Sequence, residues 1–459
     1  MPANRQGSTS RSRRERRRVI RLEPVPAGRM KMVFVLLCAG LLGLVGRMAW
    51  LQIFQAPELE ARARVVQTQR TQPLGSRRPI VDRNGRLVAL DEERYRLWAH
   101  PRYFNFPGDE PALIRDRQEV AARLSPVLAL STRELNKRMG DSSSGIKLAE
   151  GVDPETATTV RSLGISGIDL EPYPYRVYPQ GSLFANVVGF LNQERQPQAG
   201  LEQSRHEDLQ RHEQARSLRR GADGTPLPDN LAPGVFFGDD LRLQLTLDAR
   251  LQELAAKALT AQVKTWKAKK GVAIVMDVIN GELMALASTP TYDANRYWDF
   301  KPERFREWSV QDLYEPGSTF KPINLALALQ EGVIQPNEKV YDSGALTIGG
   351  WPIRNHDRKG NGVVDFATVL QVSSNVGMVQ AMRKMRPSHY WDWLNRLGLD
   401  AKPDTDLPGA VAGQLKTKEQ FTNQPIEPAT AAFGQGFSLT PLKLVQLHAL
   451  IANGGRLVS

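Results

Sequence analysis

The chain has 459 residues, 41% of them hydrophobic and 24% charged, with a formal net charge of +12. That apolar content excludes a disordered chain, and a single cysteine excludes a disulfide framework or a multi-thiolate metal site. Six scattered histidines form no His-Glu-x-x-His or His-x-His pair, so a zinc hydrolase and a metal cofactor are not expected.

The charge is concentrated at the start, where residues 1–31 carry ten Arg and Lys against Glu15 and Glu23. The rest of the chain is close to neutral. A nucleic-acid binder would need a basic stripe on that body, so no nucleic-acid partner is expected. Residues 32–54 form an apolar run, interrupted only by Arg47, of about 23 residues, enough to cross a hydrocarbon layer of about 30 Å. Arg47 and Trp50 suit the far interface. The basic lead-in places the N-terminus in the cytoplasm and everything after Phe54 outside. A cleaved signal peptide starts in the same way, and Ala61-Arg62-Ala63 loosely fits a cleavage site. The apolar continuation Ala49-Trp50-Leu51 favours a retained anchor, and the basic lead-in argues against a buried soluble helix. Cys38 lies inside the span, so the exported part has no thiol.

Residues 55–70 read as a helix leaving the membrane. From Pro73 to about Gly238 the pattern mixes short alternating runs, at Arg86–Leu90 and Tyr95–Ala99, with helical segments near 111–130 and 153–163. A Pro/Gly-rich stretch, 221–234, reads as a linker or long loop. The grammar then changes. Leu241 to Leu247 alternates as a half-buried strand, and Asp248 caps a helix running to about Lys267. Gly271 to Asp277 reads as a core strand that turns at Asn280-Gly281 and pairs back through Glu282–Ser288. Helical stretches follow at 323–331, 367–384 and 442–453. A sheet with clustered helices predicts an α+β domain.

No Gly-x-Ser-x-Gly, Walker A or dinucleotide glycine motif is present. One candidate for chemistry is Glu315-Pro-Gly-Ser318-Thr-Phe-Lys321-Pro322. A serine three residues before a lysine places both on one helix face, about one turn apart, and Pro-Gly starts that helix at the serine. An alcohol becomes a good nucleophile only when a base takes its proton. Lysine can serve once burial lowers its pKa. Ser144-Gly-Ile-Lys147 is a second Ser-x-x-Lys without the helix-starting Pro-Gly, and it reads as exposed surface. Ser373-Ser374-Asn375 lies downstream between helical segments. It offers a hydroxyl that can relay a proton and an amide that can hold a lysine or a substrate carbonyl, although alone it reads equally as a polar turn.

Together these residues resemble the class B penicillin-binding proteins, and among them the septal, FtsI-type peptidoglycan D,D-transpeptidases. The likeness extends through Ile80-Val-Asp-Arg-Asn-Gly85, Arg176-Val-Tyr-Pro179 with Gly181, Asn186-Val-Val-Gly-Phe190, Gly200-Leu-Glu202, Leu245-Thr-Leu-Asp248, residues 277–285, Gly434-Gln-Gly436 and Thr440-Pro441. The resemblance implies a basic cytoplasmic tail (1–31), a transmembrane helix (32–54), a non-catalytic α+β pedestal of the dimerisation type (55–238) and an α+β, serine β-lactamase-like transpeptidase domain (239–459). It implies Ser318 as the acylated nucleophile, Lys321 as its proton acceptor, and Ser373 with Asn375 as the second motif. No cofactor is implied. The implied ligands are peptidoglycan stem peptides and β-lactams, and the implied partners are a polytopic glycan polymerase and other division proteins at the septum of a bacterial inner membrane. Two departures stand out. Arg77-Arg78-Pro79-Ile80 lacks the glycine usual after its first arginine. The third motif, Lys-Thr/Ser-Gly, is missing, and its only near match, Lys416-Thr417-Lys418, has no glycine and precedes Gly434. The expectation is therefore an incomplete copy of a septal transpeptidase. A non-enzymatic division scaffold, or a D,D-carboxypeptidase or β-lactam sensor, are the alternatives. The coding sequence beyond codon 459 separates enzyme from scaffold.

Overall fold

A computed structural model describes residues 27–55, 68–69, 76–140, 142–211, 218–219 and 241–458. Most of the basic tail, most of the expected 55–70 helix and the 221–234 loop lie outside the described residues. The chain divides into two units, Met1–Gln72 with Ala215–Ala232, and Pro73–Gln214 with Pro233–Ser459.

In the first unit, Ala27–Ala49 is a helix continued by a π-helical turn at Trp50–Phe54. Its Lys31–Gln52 stretch is long and apolar enough to cross a membrane. Thr68–Gln69 is a strand antiparallel to Leu218–Arg219, so those two residues are not the end of a helix.

In the second unit, the two alternating runs read separately in the sequence are one 13-residue strand, Leu87–Ala99. It anchors a five-stranded sheet with Ile80–Val81, Ile146–Val152, Ile168–Val177 and Leu243–Gln244. The 111–130 expectation resolves into Arg117–Leu128, capped by Asp116, and a second helix, Thr132–Met139, capped by Ser131. Ala129 separates them in the left-handed region, φ 52°. The 153–163 helix is Pro154–Ser162, with Asp153 accepting from Thr156 N. Leu241–Leu247 was expected to be a strand throughout, but only Leu243–Gln244 forms one, parallel to Ile80–Val81. The cause is a partner just two residues long. Single bonds from Leu245 N to Val81 O (2.8 Å) and Arg83 N to Leu247 O (3.0 Å) hold the rest. The alternation survives as burial of Leu245 and Leu247.

Asp248 caps the Ala249–Thr265 helix through Arg250 N and Leu251 N, as its acceptor side chain requires. Gly271–Met276 pairs with Leu283–Thr289 across the expected turn. It is not a core strand: most of it is half-buried and Val275 is 37% exposed, because Leu283–Thr289 is its one paired neighbour among the described residues. The expected 367–384 helix is two helices, Phe366–Gln371 and Asn375–Met382, broken at Ser373. A core around Phe320, Ile323, Met378, Tyr390 and Leu447 packs the C-terminal helices together. A second core joins Ile80, Phe184 and Leu201 to Leu245, Leu286, Tyr292 and Leu442, so residues on both sides of position 238 share one apolar interior.

Several resemblance-bearing residues meet in a buried charge cluster. Glu202 takes Arg176 Nε at 2.7 Å and Arg77 Nη2 at 2.8 Å, while Asp91 takes Arg195 Nη2 at 2.7 Å and Arg176 Nη1 at 3.3 Å. Burial alone would raise the Asp91 pKa, but Arg176 and Arg195 outweigh it and hold the carboxyl below its ordinary range.

Candidate active site

Gly317–Phe320 is a 3-10 turn that runs directly into the Lys321–Gln330 helix, with Pro322 in the first helical turn. Pro316 and Gly317 start it as the sequence implied, and Gly317 takes φ +58°. Ser318 sits exposed on that first turn, where main-chain N–H groups have no intrahelical acceptor. The helix beneath is fixed from the far side. Asn324 Nδ2 donates to Ala431 O (2.8 Å) and Ala432 O (2.9 Å), and Tyr390 Oη donates to Asn324 Oδ1 (2.8 Å). Phe320 packs edge-on against Phe437 at 4.8 Å.

Lys321 is 1% exposed. Its Nζ lies 2.6 Å from Ser373 O, 3.0 Å from Ser373 Oγ and 2.8 Å from Asn375 Oδ1. Burial brings its pKa down to about 8. Nζ donates to all three acceptors, and once the amine is neutral two N–H groups can keep Ser373 O and Asn375 Oδ1 while the lone pair faces the Ser373 hydroxyl. Ser373 aims its carbonyl there by taking φ +57°, a conformation that costs a non-glycine residue about 1–2 kcal/mol.

Ser318, Ser373 and Asn375 line one cavity of about 460 Å³, so the structure brings together the four residues singled out in the sequence. All three Nζ hydrogen bonds go to residues 373 and 375, and none joins Lys321 to Ser318 among the described residues. Catalytic contacts often tighten only when substrate binds. Three further residues support the site and were not anticipated. Asn355 Oδ1 accepts from Asn375 N (2.9 Å) and Val376 N (3.1 Å), and Asn355 Nδ2 donates to both Asp342 oxygens at 2.9 Å. Asn361 Nδ2 donates to Asp342 Oδ2 at 2.6 Å.

The other Ser-x-x-Lys is not a helix turn. Lys147 lies on the Ile146–Val152 strand and pairs with Glu150 at 2.8 Å, while half-buried Ser144 bonds His100 Nδ1 at 2.7 Å. Thr417 caps the Lys418–Asn423 helix through Gln420 N, so Lys416-Thr417-Lys418 serves as a helix start.

Gly434 closes directly on the serine turn. Gly317 N donates to Gly434 O at 2.8 Å, and a Cβ on Gly434, at φ +80°, would lie 2.0 Å from Gly317 O. Gly434→Ala therefore has to push the Ser318 turn aside. On the role that the resemblance implies for Ser318, its expected effect is a fall in penicillin acylation on the order of 10–100-fold, read as the rate of fluorescent-penicillin labelling. An unchanged rate would show that the turn tolerates the shift.

Residues 271–459 match the family of penicillin-binding protein transpeptidase domains, and residues 74–223 match the penicillin-binding protein dimerisation domains. The chain is similar to a peptidoglycan D,D-transpeptidase FtsI homolog of Chlorokybus atmophyticus, at 39% identity over 90% of this chain and 61% of that one. It is also similar to the peptidoglycan D,D-transpeptidase FtsI of Escherichia coli strain K12, at 32% identity over 92% of this chain and 71% of that one. It thus spans 61% and 71% of the length of these two curated relatives. Among solved structures, a peptidoglycan synthetase from Bifidobacterium adolescentis ATCC 15703 is similar with a TM-score of 0.57 and 25% identity, covering 83% of this chain and 72% of that one.

Proposed function

The chain belongs to the FtsI-type class B penicillin-binding proteins, and from that premise we propose that it is a serine peptidoglycan D,D-transpeptidase that cross-links stem peptides during septal wall synthesis. The observation that carries the reading is the buried Lys321 amine, held at Ser373 and Asn375 beside the cavity that exposes Ser318. Ser318 Oγ attacks the carbonyl of the penultimate D-Ala, and its proton passes to Lys321, with the Ser373 hydroxyl placed to relay it. The peptide C–N bond breaks, the terminal D-Ala leaves with a proton, and an acyl-serine ester remains. The amine of a neighbouring stem then attacks that ester, restoring the Ser318 hydroxyl and completing the cross-link. A β-lactam follows the first half, but its leaving nitrogen stays tethered within the opened ring.

The same reading places residues 1–31 in the cytoplasm, the Lys31–Gln52 stretch across the membrane and the remainder outside it. A polytopic glycan polymerase and other division proteins would be its partners, and the septum its site of action.

The pH profile tests the proton acceptor. A protonated amine has no lone pair, so below the folded pKa the rate falls with the neutral fraction. With Lys321 brought down to about 8, acylation by benzylpenicillin should rise about tenfold per pH unit up to about pH 8 and level off above it. Stopped-flow acylation rates between pH 6 and 10, with mass spectrometry locating the adduct, provide the measurement. A rate that keeps climbing to pH 10, or an adduct away from Ser318, would end the proposal.

A further inference from the structure

The geometry points to Asn355, locked in place by Asp342, as a positioning residue that sets the Ser373–Asn375 turn and, through it, the Lys321 amine. The inference rests on the catalytic reading above. Asn355 is buried and satisfied on both sides. Its Nδ2 donates to the two Asp342 oxygens at 2.9 Å and to Lys359 O at 2.9 Å, and its Oδ1 accepts from Asn375 N at 2.9 Å and Val376 N at 3.1 Å. Ser374 Oγ lies 3.3 Å from the same oxygen and itself caps the helix by accepting from Gly377 N at 2.8 Å. Asn375 then reaches in both directions, with Nδ2 donating to Arg354 O at 2.9 Å and Oδ1 taking Lys321 Nζ at 2.8 Å.

The amide orientation is therefore dictated. A carboxylate can only accept, so Asp342 forces Asn355 to turn its NH₂ inward and its oxygen toward the helix N–H groups. Asp342 is 1% exposed and also accepts from Gly344 N (2.9 Å) and Asn361 Nδ2 (2.6 Å). Burial would raise its pKa, and the bonds from Asn361 and Gly344 outweigh that and hold it ionised. Facing this pair are helix N–H groups and the amides of Asn361 and Asn375. The charged side chains of the same loop, Asp357, Arg358 and Lys359, are exposed, as is His356. Removing the lock frees the first turn of the Asn375–Met382 helix with its Asn375 amide, and the strained Ser373 carbonyl just before its cap. Lys321 then loses the cage that keeps it dry.

Exchanging the two groups separates positioning from mere bulk. Asn355→Asp alone sets two buried carboxylates face to face, which cannot both stay ionised at close range. Adding Asp342→Asn restores one carboxylate and one amide, with the acceptor still turned toward Asn375 N and Val376 N. Two readouts on the full chain report the result: the rate of benzylpenicillin acylation at pH 8.5, and the titration of the Lys321 ¹³Cε resonance, assigned with Lys321→Arg. Asn355→Asp should slow acylation about tenfold and move the Lys321 midpoint up by about one pH unit, as a rehydrated amine regains basicity. The Asp342→Asn/Asn355→Asp pair should return the midpoint and recover the rate to within about threefold.

A silent Asn355→Asp, or a double variant as poor as the single one, overturns the inference. Should Asn355→Asp fail to fold by circular dichroism, the double variant decides alone, and one that folds with the Lys321 midpoint still displaced overturns it. The resonance reads the amine without any acyl transfer. A wild-type protein that never labels at Ser318 would thus count against the catalytic reading, while the positioning result stands by itself.

Discussion

Ser318→Ala should leave no covalent penicillin adduct, a loss on the order of 10⁴–10⁶ in acylation rate. The alanine keeps the backbone that presents the turn. Gly317 still supplies φ +58°, Phe320 stays buried against Phe437, and Asn324 still ties the helix to Ala431 and Ala432. What disappears is the exposed, cavity-lining Ser318 hydroxyl on the first turn of the helix. The neighbouring hydroxyls cannot substitute. Thr319 Oγ1 donates to Pro316 O at 2.7 Å, and Ser374 Oγ is buried in its helix cap. Ser373 lines the same cavity, but its hydroxyl is engaged by Lys321 Nζ at 3.0 Å. Intact-mass and peptide mass spectrometry of wild-type and Ser318→Ala proteins after penicillin treatment gives the answer. An adduct of undiminished yield in the variant, on Ser373 or elsewhere, would remove Ser318 from the role. The melting temperature should stay within a few degrees, since an exposed hydroxyl without a buried partner contributes little to stability.

The candidate site residues that the structure brings together were legible because their signal is local. Pro316-Gly317 marks a helix start, three residues separate the hydroxyl from the amine, and the Ser373–Asn375 group stands between two helical patterns. The residues that hold those side chains in place were not. Asp342 stands in Tyr341-Asp-Ser-Gly344 and Asn355 opens Asn355-His-Asp-Arg-Lys-Gly-Asn361, short polar stretches without a motif of their own. Their burial comes from pairing of the short strands Lys339–Asp342, Ala345–Ile348, Trp351–Arg354 and Gly362–Asp365, which are too brief to impose a period on the sequence. The break at Ser373 was masked for the opposite reason. The apolar spacing from Ala367 to Lys384 is continuous, and only a left-handed residue, not usually a serine, divides it. The Pro387–Arg396 helix also went unread, although Pro387 in its first turn and the buried pair Tyr390 and Leu394, four apart, are an ordinary helix signature.

Glu202→Ala is the substitution expected to damage the fold most, lowering unfolding free energy by about 3–5 kcal/mol. Glu202 is fully buried, and so are the guanidinium groups it neutralises. Its removal leaves Arg77 and Arg176 in the interior with Asp91 as the remaining carboxylate of the cluster, and Asp91 is already shared with Arg195. The sheet strands Leu87–Ala99 and Ile168–Val177 and the Gly200–Ser204 helix converge on this point, so the uncompensated charge cannot move to water without separating them. Arg77 is the arginine preceding the position where the family's usual glycine is replaced by Arg78. Its main-chain N–H also donates to Asp91 Oδ2 at 2.8 Å, which ties that turn to the same cluster. Glu202→Gln should cost less, because the amide oxygen can still accept one of the two arginines. Replacing Glu202 and Arg176 together by Leu and Met should cost less than the sum of the single changes, since Arg77 alone, rather than both arginines, then loses its Glu202 partner. Denaturant titrations followed by tryptophan fluorescence measure these variants beside the wild type and the single Glu202→Leu and Arg176→Met proteins. A Glu202→Ala loss below about 1 kcal/mol, the range of an exposed ion pair, would mean that water reaches the cluster. Acidification should act in the same direction. Asp91 has its pKa held below the ordinary carboxylate value, so the stability it contributes is present above that value and is lost as the pH falls through the depressed one.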